Sequence, residues 1–315
     1  MASFYDLLIW SYHYCLATWS YEGILCMSST SPTSPASAKP SITVGPAHIL
    51  LVDTFNLIRR IYAANPDAEH EIQAVIESSR RSLLRSLAEH SPTHAISILD
   101  SHEITWRHQL EPTYKGNRAP PPEVLMANLG VFNRVFEDLG VRSLVVPHFE
   151  ADDVIATLAL GIVASGGQVT ILSTDKGFLP LLSPATSAAT GTASSGSSPG
   201  LNIYHHFDHH AVTAAEAIAK FDVPIEQLPD YWAMAGDPTN NIKGVPRVGK
   251  KTAAALLKTY GSLDAVLQAD ATDAAVARVQ AQAPQALKCR QLVTLRTDVE
   301  IGVNLKMFRL QHSAV

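Results

Sequence analysis

Four short apolar runs recur along the first two thirds of this chain, and each one ends at or leads into an acidic segment. They are His48–Val52 closing on Asp53, Ala95–Leu99 closing on Asp100, Ser143–Val146 leading to Glu150, Asp152 and Asp153, and Gln168–Leu172 closing on Ser173-Thr174-Asp175-Lys176-Gly177. Runs of this length with no polar alternation read as strands buried on both faces. Helix-like stretches separate them, at Phe55–Ala64, Ile72–Leu87 and Glu123–Leu139. Strands alternating with helices predict a doubly wound α/β domain with a parallel sheet. Parallel strands carry all of these acids to one end of the sheet, where open α/β folds place their sites. One such acid is an ordinary polar loop residue, but four in series fit that reading poorly.

The segment Phe149-Glu150-Ala151-Asp152-Asp153-Val154-Ile155 concentrates the acids most strongly, at the start of an apolar helix over Val154–Val163. A helix N-terminus favours negative charge by less than about 1 kcal/mol, too little to hold several carboxylates together undamped. A divalent-cation site therefore competes with the plainer reading of an acidic helix cap. The chain carries 24 basic and 29 acidic side chains, a formal net charge of −5. That balance argues against a surface coated in positive charge but leaves room for a local basic patch. Cys15, Cys26 and Cys289 are too scattered for a disulfide framework or a zinc spacing, so a reducing, cytoplasmic compartment is expected.

Residues 1–45 differ from the rest, with an aromatic-rich start followed by a Ser/Thr/Pro/Ala tract of linker composition. No Lys or Arg precedes Lys39, which leaves out the charged region of a signal or transit peptide, and Asp6, His13 and Glu22 interrupt the apolar stretch. This segment reads as a dispensable extension, with Met27 as an alternative initiator; a partner-binding arm is the other reading. Residues 184–200 read as a low-complexity loop. His205, His206, His209 and His210 match no zinc spacing and read as a solvated turn.

From Ala211 the pattern is helical, at Ala214–Phe221, Leu228–Ala235 and a helix running through Lys258. Gly244-Val245-Pro246-Arg247-Val248-Gly249-Lys250-Lys251-Thr252 misses a phosphate-loop spacing by one residue and follows no strand. It reads as a helix-hairpin-helix, whose glycines let a turn approach a DNA phosphate and whose second helix offers backbone N–H groups.

Taken together, Leu51-Val52-Asp53, Ile98-Leu99-Asp100, Tyr114-Lys115-Gly116-Asn117-Arg118, Glu150 through Asp153, Ser173 through Gly177 and Gly236-Asp237 through Thr252 resemble, in that order, the bacterial and phage 5′ nucleases. The stand-alone exonuclease IX branch is the most similar, through Asn56–Arg60, Trp106–Gln109 and Leu228–Trp232. The resemblance implies a PIN-like nuclease domain over 46–225 and a helix-three-turn-helix DNA-binding domain over 226–315. It implies a Mg²⁺-dependent hydrolase acting on DNA near 5′ flap junctions; the interrupted apolar stretch speaks against a membrane span, and nothing in the sequence requires more than a monomer. Asp53, Asp100, Asp152 and Asp153 would form the first metal site, with Glu150 acting through water, and Asp175 and Asp237 would remain of a second. Lys115 and Arg118 would steer the scissile phosphate. Arg59, Arg60 and the hairpin Arg247, Val248, Gly249, Lys250, Lys251 and Thr252 would hold DNA. A potassium ion would sit on the backbone carbonyls of Met234, Ala235, Lys243, Val245 and Val248.

Two departures accompany the resemblance. Gly177 and Asn240 stand where the polymerase-associated relatives carry aspartates, so two carboxylates of the second metal site are missing. A fold-preserving DNA-binding protein with weak or no catalysis is therefore the alternative reading. Retention of acids that only repel a polyanion weighs against it. A PIN-type ribonuclease is disfavoured by the duplex-gripping hairpin.

Overall fold

The computed structural model describes residues 47–183 and 200–311, apart from Pro66 and Glu69. The expectations for 1–45 and most of the 184–200 loop lie outside the described residues. A six-stranded sheet has the order β3-β2-β1-β4-β5-β6, where β1 is His48–Asp53, β2 His94–Ile98, β3 Arg142–Leu144, β4 Gln168–Leu172, β5 Leu201–His205 and β6 His210–Ala211. The first five strands are parallel and the two-residue β6 pairs antiparallel with β5. The chain runs from β1 outward to β3, then returns to place β4 on the other side of β1. The switch in direction therefore lies between β1 and β4, where an open α/β sheet leaves a crevice at its strand ends.

Period-two alternation in β1 distributes its side chains between two cores. Leu50 and Val52 pack with Leu57, Ile58, Leu83, Phe132 and Phe136, from α1 (Thr54–Ala64), α2 (Ile72–His90) and α5 (Leu129–Asp138). Ile49 and Leu51 pack on the opposite face with Val154, Ile155 and Ala159 of α6 (Ala151–Ala164). Both faces are thus covered, which explains the unbroken apolar strand sequences.

The expected helix over 123–139 is divided into α4 (Glu123–Ala127) and α5, after α3 (Trp106–Leu110). Asn128 sits at the break, its side-chain amide donating to the Val124 carbonyl at 2.8 Å and competing with the helical ladder. The strand expected at 143–146 ends at Leu144, so residues 145–150 are an irregular approach to α6. A separate helical core is built from α7 (Ala214–Phe221), α8 (Leu228–Ala235), α9 (Lys250–Tyr260), α10 (Leu263–Gln268), α11 (Ala274–Ala281) and α12 (Ala283–Val293). After α12 the chain returns to the sheet: Val299 and Phe308 join the α6-side core, and the Leu310 N–H donates to the Thr93 carbonyl at 3.0 Å. Among the described residues no helix is long and apolar enough to cross a membrane.

The histidine turn departs from expectation at one residue. His206 is buried, with Ser82 on one ring nitrogen and Ser86, 2.9 Å away, on the other, joining the end of β5 to α2. Burial, with the nearby His209 and Arg85 charges, lowers its pKa to about 4. The unfolded imidazole binds a proton near pH 6.5, so the stability from neutral His206 is present above that value and is lost as pH falls toward 4. His206→Leu should cost about 1–3 kcal/mol at pH 7.5, because two buried hydroxyls lose their partner. Denaturant melts should show that difference shrinking between pH 6.5 and 4.5.

Candidate active site

The acids meet at the carboxyl end of the sheet, each delivered by a different connection. Asp53 closes β1 and caps α1, accepting the Asn56 N–H at 3.3 Å and the Ser173 hydroxyl at 2.7 Å. Asp100 follows β2 and accepts the Ala151 N–H at 2.7 Å, so it ties the start of α6 to the strand end. Asp152 sits in the first turn of α6, and Asp175 follows β4. Burial raises the Asp53 pKa to about 7, assisted by repulsion from Asp100 and Asp175. Asp152 is raised well above the usual carboxylate range by burial and then by Asp175 and Asp53, which Lys115 only partly offsets. These four carboxylates form one mutually repelling group. Among the described residues no three His, Cys, Asp or Glu side chains close into a ready-made metal cage. Asp152 and Asp175 line a cleft, so the group reaches solvent through these two acids.

Asp153 does not belong to the group, and its expected role as a metal ligand and catalytic acid is corrected. It is fully buried and is not among the residues that line the cleft. Arg107 forks onto both of its oxygens at 2.7 and 2.8 Å, the Trp106 indole donates at 2.9 Å, and the Arg296 backbone N–H donates at 2.9 Å. Adjacent helical residues point about 100° apart, so when Asp152 faces the cleft Asp153 faces the interior. Arg107 was not singled out from the sequence as a site residue. It also donates to Glu150 at 2.8 Å and to the carbonyls of Leu292 and Thr294 at the end of α12. Burial opposes its charge, but the hydrogen bonds and charges of Asp153 and then Glu150 outweigh it, so its pKa rises.

Glu150 has both oxygens engaged: Oε2 accepts from Arg107 and Tyr114, and Oε1 accepts from Lys115 Nζ at 2.7 Å. It therefore positions Lys115 and presents no free oxygen to an ion. Lys115 lies close enough to Asp152 and Asp100 for their charges, after that of Glu150, to outweigh burial and raise its pKa. Its backbone is left-handed, with φ +55°.

The Thr113–Arg118 segment is strapped to the loop after α8. Lys115 N–H donates to the Asn240 carbonyl (2.9 Å), Asn117 Nδ2 to Pro238 O (2.8 Å) and Asn241 Nδ2 to Thr113 O (2.7 Å). Arg118 donates to Asn240 Oδ1 at 2.7 Å and to Thr239 O at 3.2 Å, so its guanidinium serves this strap and is not directed into the acid group. Asp237 is buried, lines the same cleft as Asp152 and Asp175, and pairs with Lys176 Nζ at 2.6 Å.

In the hairpin, Arg247, Gly249, Lys250 and Lys251 are exposed, Thr252 is half-buried and Val248 is buried in the helical core. No side chain caps α9, so its first N–H groups have no side-chain acceptor at the cap. Gly236 and Gly244 permit a close backbone crossing: a Cβ on Gly244 would lie 2.4 Å from Met234 O, and one on Gly236 would lie 2.8 Å from Ile242 O. The Lys243 carbonyl accepts from Gln285 (2.8 Å) and from the Cys289 thiol. Met234 O accepts the Val245 N–H, and Val245 O the Val248 N–H. Arg59 is exposed on α1, and Arg60 reaches Thr174 and lies over the Phe207 ring.

Arg107→Met leaves Asp153 buried without its cation and should destabilise the chain by about 3–5 kcal/mol. Adding Asp153→Leu should recover much of that loss in equilibrium urea unfolding, because the isolated charge is removed as well.

Comparison with known proteins agrees with this architecture. Residues 48–215 match the family described as 5′-3′ exonuclease, N-terminal resolvase-like domain, and residues 223–314 match 5′-3′ exonuclease, C-terminal SAM fold. The flap endonuclease Xni of Colwellia psychrerythraea is 38% identical over 85% of this chain and 93% of its own length. That of Psychromonas ingrahamii is 38% identical over 84% and 98%. Among solved structures, a mutant T5 5′-exonuclease superposes with a TM-score of 0.61 at 17% identity, covering 80% of this chain and 89% of that one. The bacteriophage T5 D15 flap endonuclease in a pseudo-enzyme-product complex with DNA and metal ions also gives 0.61, at 19% identity, covering 79% and 90%. At these identities the structural likeness speaks to the fold, while the matches along the sequence place this chain in the 5′-3′ exonuclease family, with relatives named flap endonuclease Xni.

Proposed function

We propose that this chain is a Mg²⁺-dependent, structure-specific flap endonuclease with 5′-3′ exonuclease action on DNA, working in replication and repair. The observation that carries the reading is the group Asp53, Asp100, Asp152 and Asp175, two of which line the cleft, with Lys115 held beside it. Burial and like charge raise the pKa values of Asp53 and Asp152 at a cost in stability, and a function that brings a cation to the group explains its retention. The relatives share the activity in their names, and the T5 complex contains DNA and metal ions.

Asp53, Asp100, Asp152 and Asp175 would hold the ion through hard oxygen donors. Such an ion, once held there, would supply a bound water of lowered pKa and charge stabilisation for the attacked phosphate and leaving oxygen. Lys115, fixed through Glu150 and Tyr114, offers a positive charge to the scissile phosphate. Exposed Arg247, Lys250 and Lys251, with the uncapped N–H groups of α9, would take duplex phosphates. Arg59 and Arg60 add positive charge at the other side of the Thr174 loop. The Gly236–Gly244 crossing supports the potassium site, because it gathers main-chain carbonyls where a side chain would exclude them. An ion there would share the Met234, Val245 and Lys243 carbonyls with their present donors. The Asp237–Lys176 pair favours the alternative of weak catalysis, since it occupies one expected ligand.

A labelled 5′-flap duplex should be cut near its junction with Mg²⁺ and left intact with EDTA. Asp152→Ala should lower single-turnover cleavage at least about a hundredfold, equivalent to about 2.7 kcal/mol of barrier. Tight flap binding without cutting, across Mg²⁺ and Mn²⁺ concentrations, would establish the binding-protein alternative instead.

The pH dependence of stability offers an independent check. The folded pKa of Asp53 lies near 7, above its unfolded value of 3.8, so its destabilisation grows as pH rises through that interval and is complete above about 7. In EDTA, Asp53→Asn should melt higher than the parent at pH 8, and the two should converge at pH 4. The slope attributable to this group approaches about 1.4 kcal/mol per pH unit. Mg²⁺ at pH 8 should raise the parent's Tm more than that of Asp53→Asn.

A further inference from the structure

The Asp237 side of the cleft is already supplied with donors, in a way that bears on how many metal ions the chain holds. Asp237 Oδ1 accepts from Lys176 Nζ at 2.6 Å and from the Thr239 N–H at 3.2 Å, while Oδ2 accepts from Asn240 Nδ2 at 2.7 Å. Both oxygens of a buried carboxylate are therefore occupied by protein groups. Lys176 is not a wandering surface side chain. It lies over the Trp232 ring, 5.6 Å from the centroid, and its side chain keeps 30% of its surface exposed toward the cleft.

The two departures from the acidic pattern are physically linked to this pair. Asn240 donates to Asp237 and, through Oδ1, accepts from Arg118 at 2.7 Å. An aspartate at 240 could accept from Arg118 but could not donate, and its charge would face that of Asp237 at hydrogen-bond distance. Gly177 donates its N–H to Asp175 Oδ1 at 2.7 Å, and a Cβ at 177 would lie 3.2 Å from that same oxygen. A side chain there would press on Asp175. Hydrogen-bond donors thus stand at both positions where further carboxylates are missing.

We propose that the Lys176 ammonium is the resident cation of the Asp237 pole, standing in for a second divalent ion. The inference rests on the nuclease reading for its meaning but concerns only charge and metal occupancy. A monovalent ammonium balances one carboxylate and brings three rotatable donors, so it can hold Asp237 and still present an N–H to a phosphate oxygen in the cleft. Lys176 is in this sense a positioning residue, fixing Asp237, Asn240 and through them the Arg118 strap. Divalent ions then collect only at the Asp53, Asp100, Asp152 and Asp175 group.

The test counts Mn²⁺ bound per full-length chain, without DNA, by electron paramagnetic resonance of free Mn²⁺ during titration. Lys176→Met should bind one more ion than the parent, Lys176→Arg should bind the same number, and Lys176→Met with Asp237→Asn should lose the extra ion. Asp237→Asn alone should leave the parental count unchanged, and this arm decides the matter even where Lys176→Met fails to give a cooperative melt in EDTA. A parental count that drops by one in Asp237→Asn would overturn the proposal, as would a folded Lys176→Met that binds no additional ion. Failure of the nuclease reading has a different signature, in which Asp152→Ala changes neither the ion count nor flap cleavage.

Discussion

Asp53, Asp100, Asp152 and Asp175 reach one end of the sheet from four separate connections, so the fold completes itself by bringing like charges together. The strands are covered by apolar cores on both faces, and that burial holds the acids at a spacing their own repulsion opposes. Hydrogen bonds relieve part of the strain. Ser173 and the Asn56 N–H serve Asp53, and the Ala151 N–H serves Asp100. What remains unbalanced is directed at the cleft, where a cation and a phosphate can meet it.

Arg107 gives the opposing arrangement only a helical turn away. There the charges are satisfied completely, by a guanidinium that spans Asp153, Glu150 and two carbonyls at the end of α12. One buried cation therefore joins the first turn of α6 to the last turn of the helical half. Lys115 is attached to the same network through Glu150. The position of Lys115 beside the acids is consequently sensitive to how α12 is seated, and Leu292 and Val293 of that helix line the same cleft as Asp152 and Asp175.

The repeating strand-then-acid pattern made the sheet, its parallel order and the end carrying the acids legible in the sequence, because buried strands announce themselves as unbroken apolar runs. The choice between Asp152 and Asp153 was not legible. Helix α6 is apolar on nearly every side after its first turn, so its periodicity does not say which of two adjacent acids faces inward. Arg107 was hidden for a related reason: its partners Asp153 and Leu292 lie 46 and 185 residues away, and nothing local distinguishes it from a surface arginine. Its place inside Trp106-Arg107-His108, with an indole to lie against, was the one available signal. His206 escaped notice because three neighbouring histidines made the turn look uniformly solvated, whereas Ser82 and Ser86, one helical turn apart, receive only that ring.

The sheet also ends abruptly on both sides. β3 offers three residues at one margin and β6 only two at the other. An open margin of unpaired N–H and carbonyl groups is a template on which another chain can add a strand, and minimal margins give such a strand little to register against. The same shortness that lets the approach to α6 be irregular thus guards the central strands, whose apolar sequences would otherwise be the chain's most aggregation-prone segments.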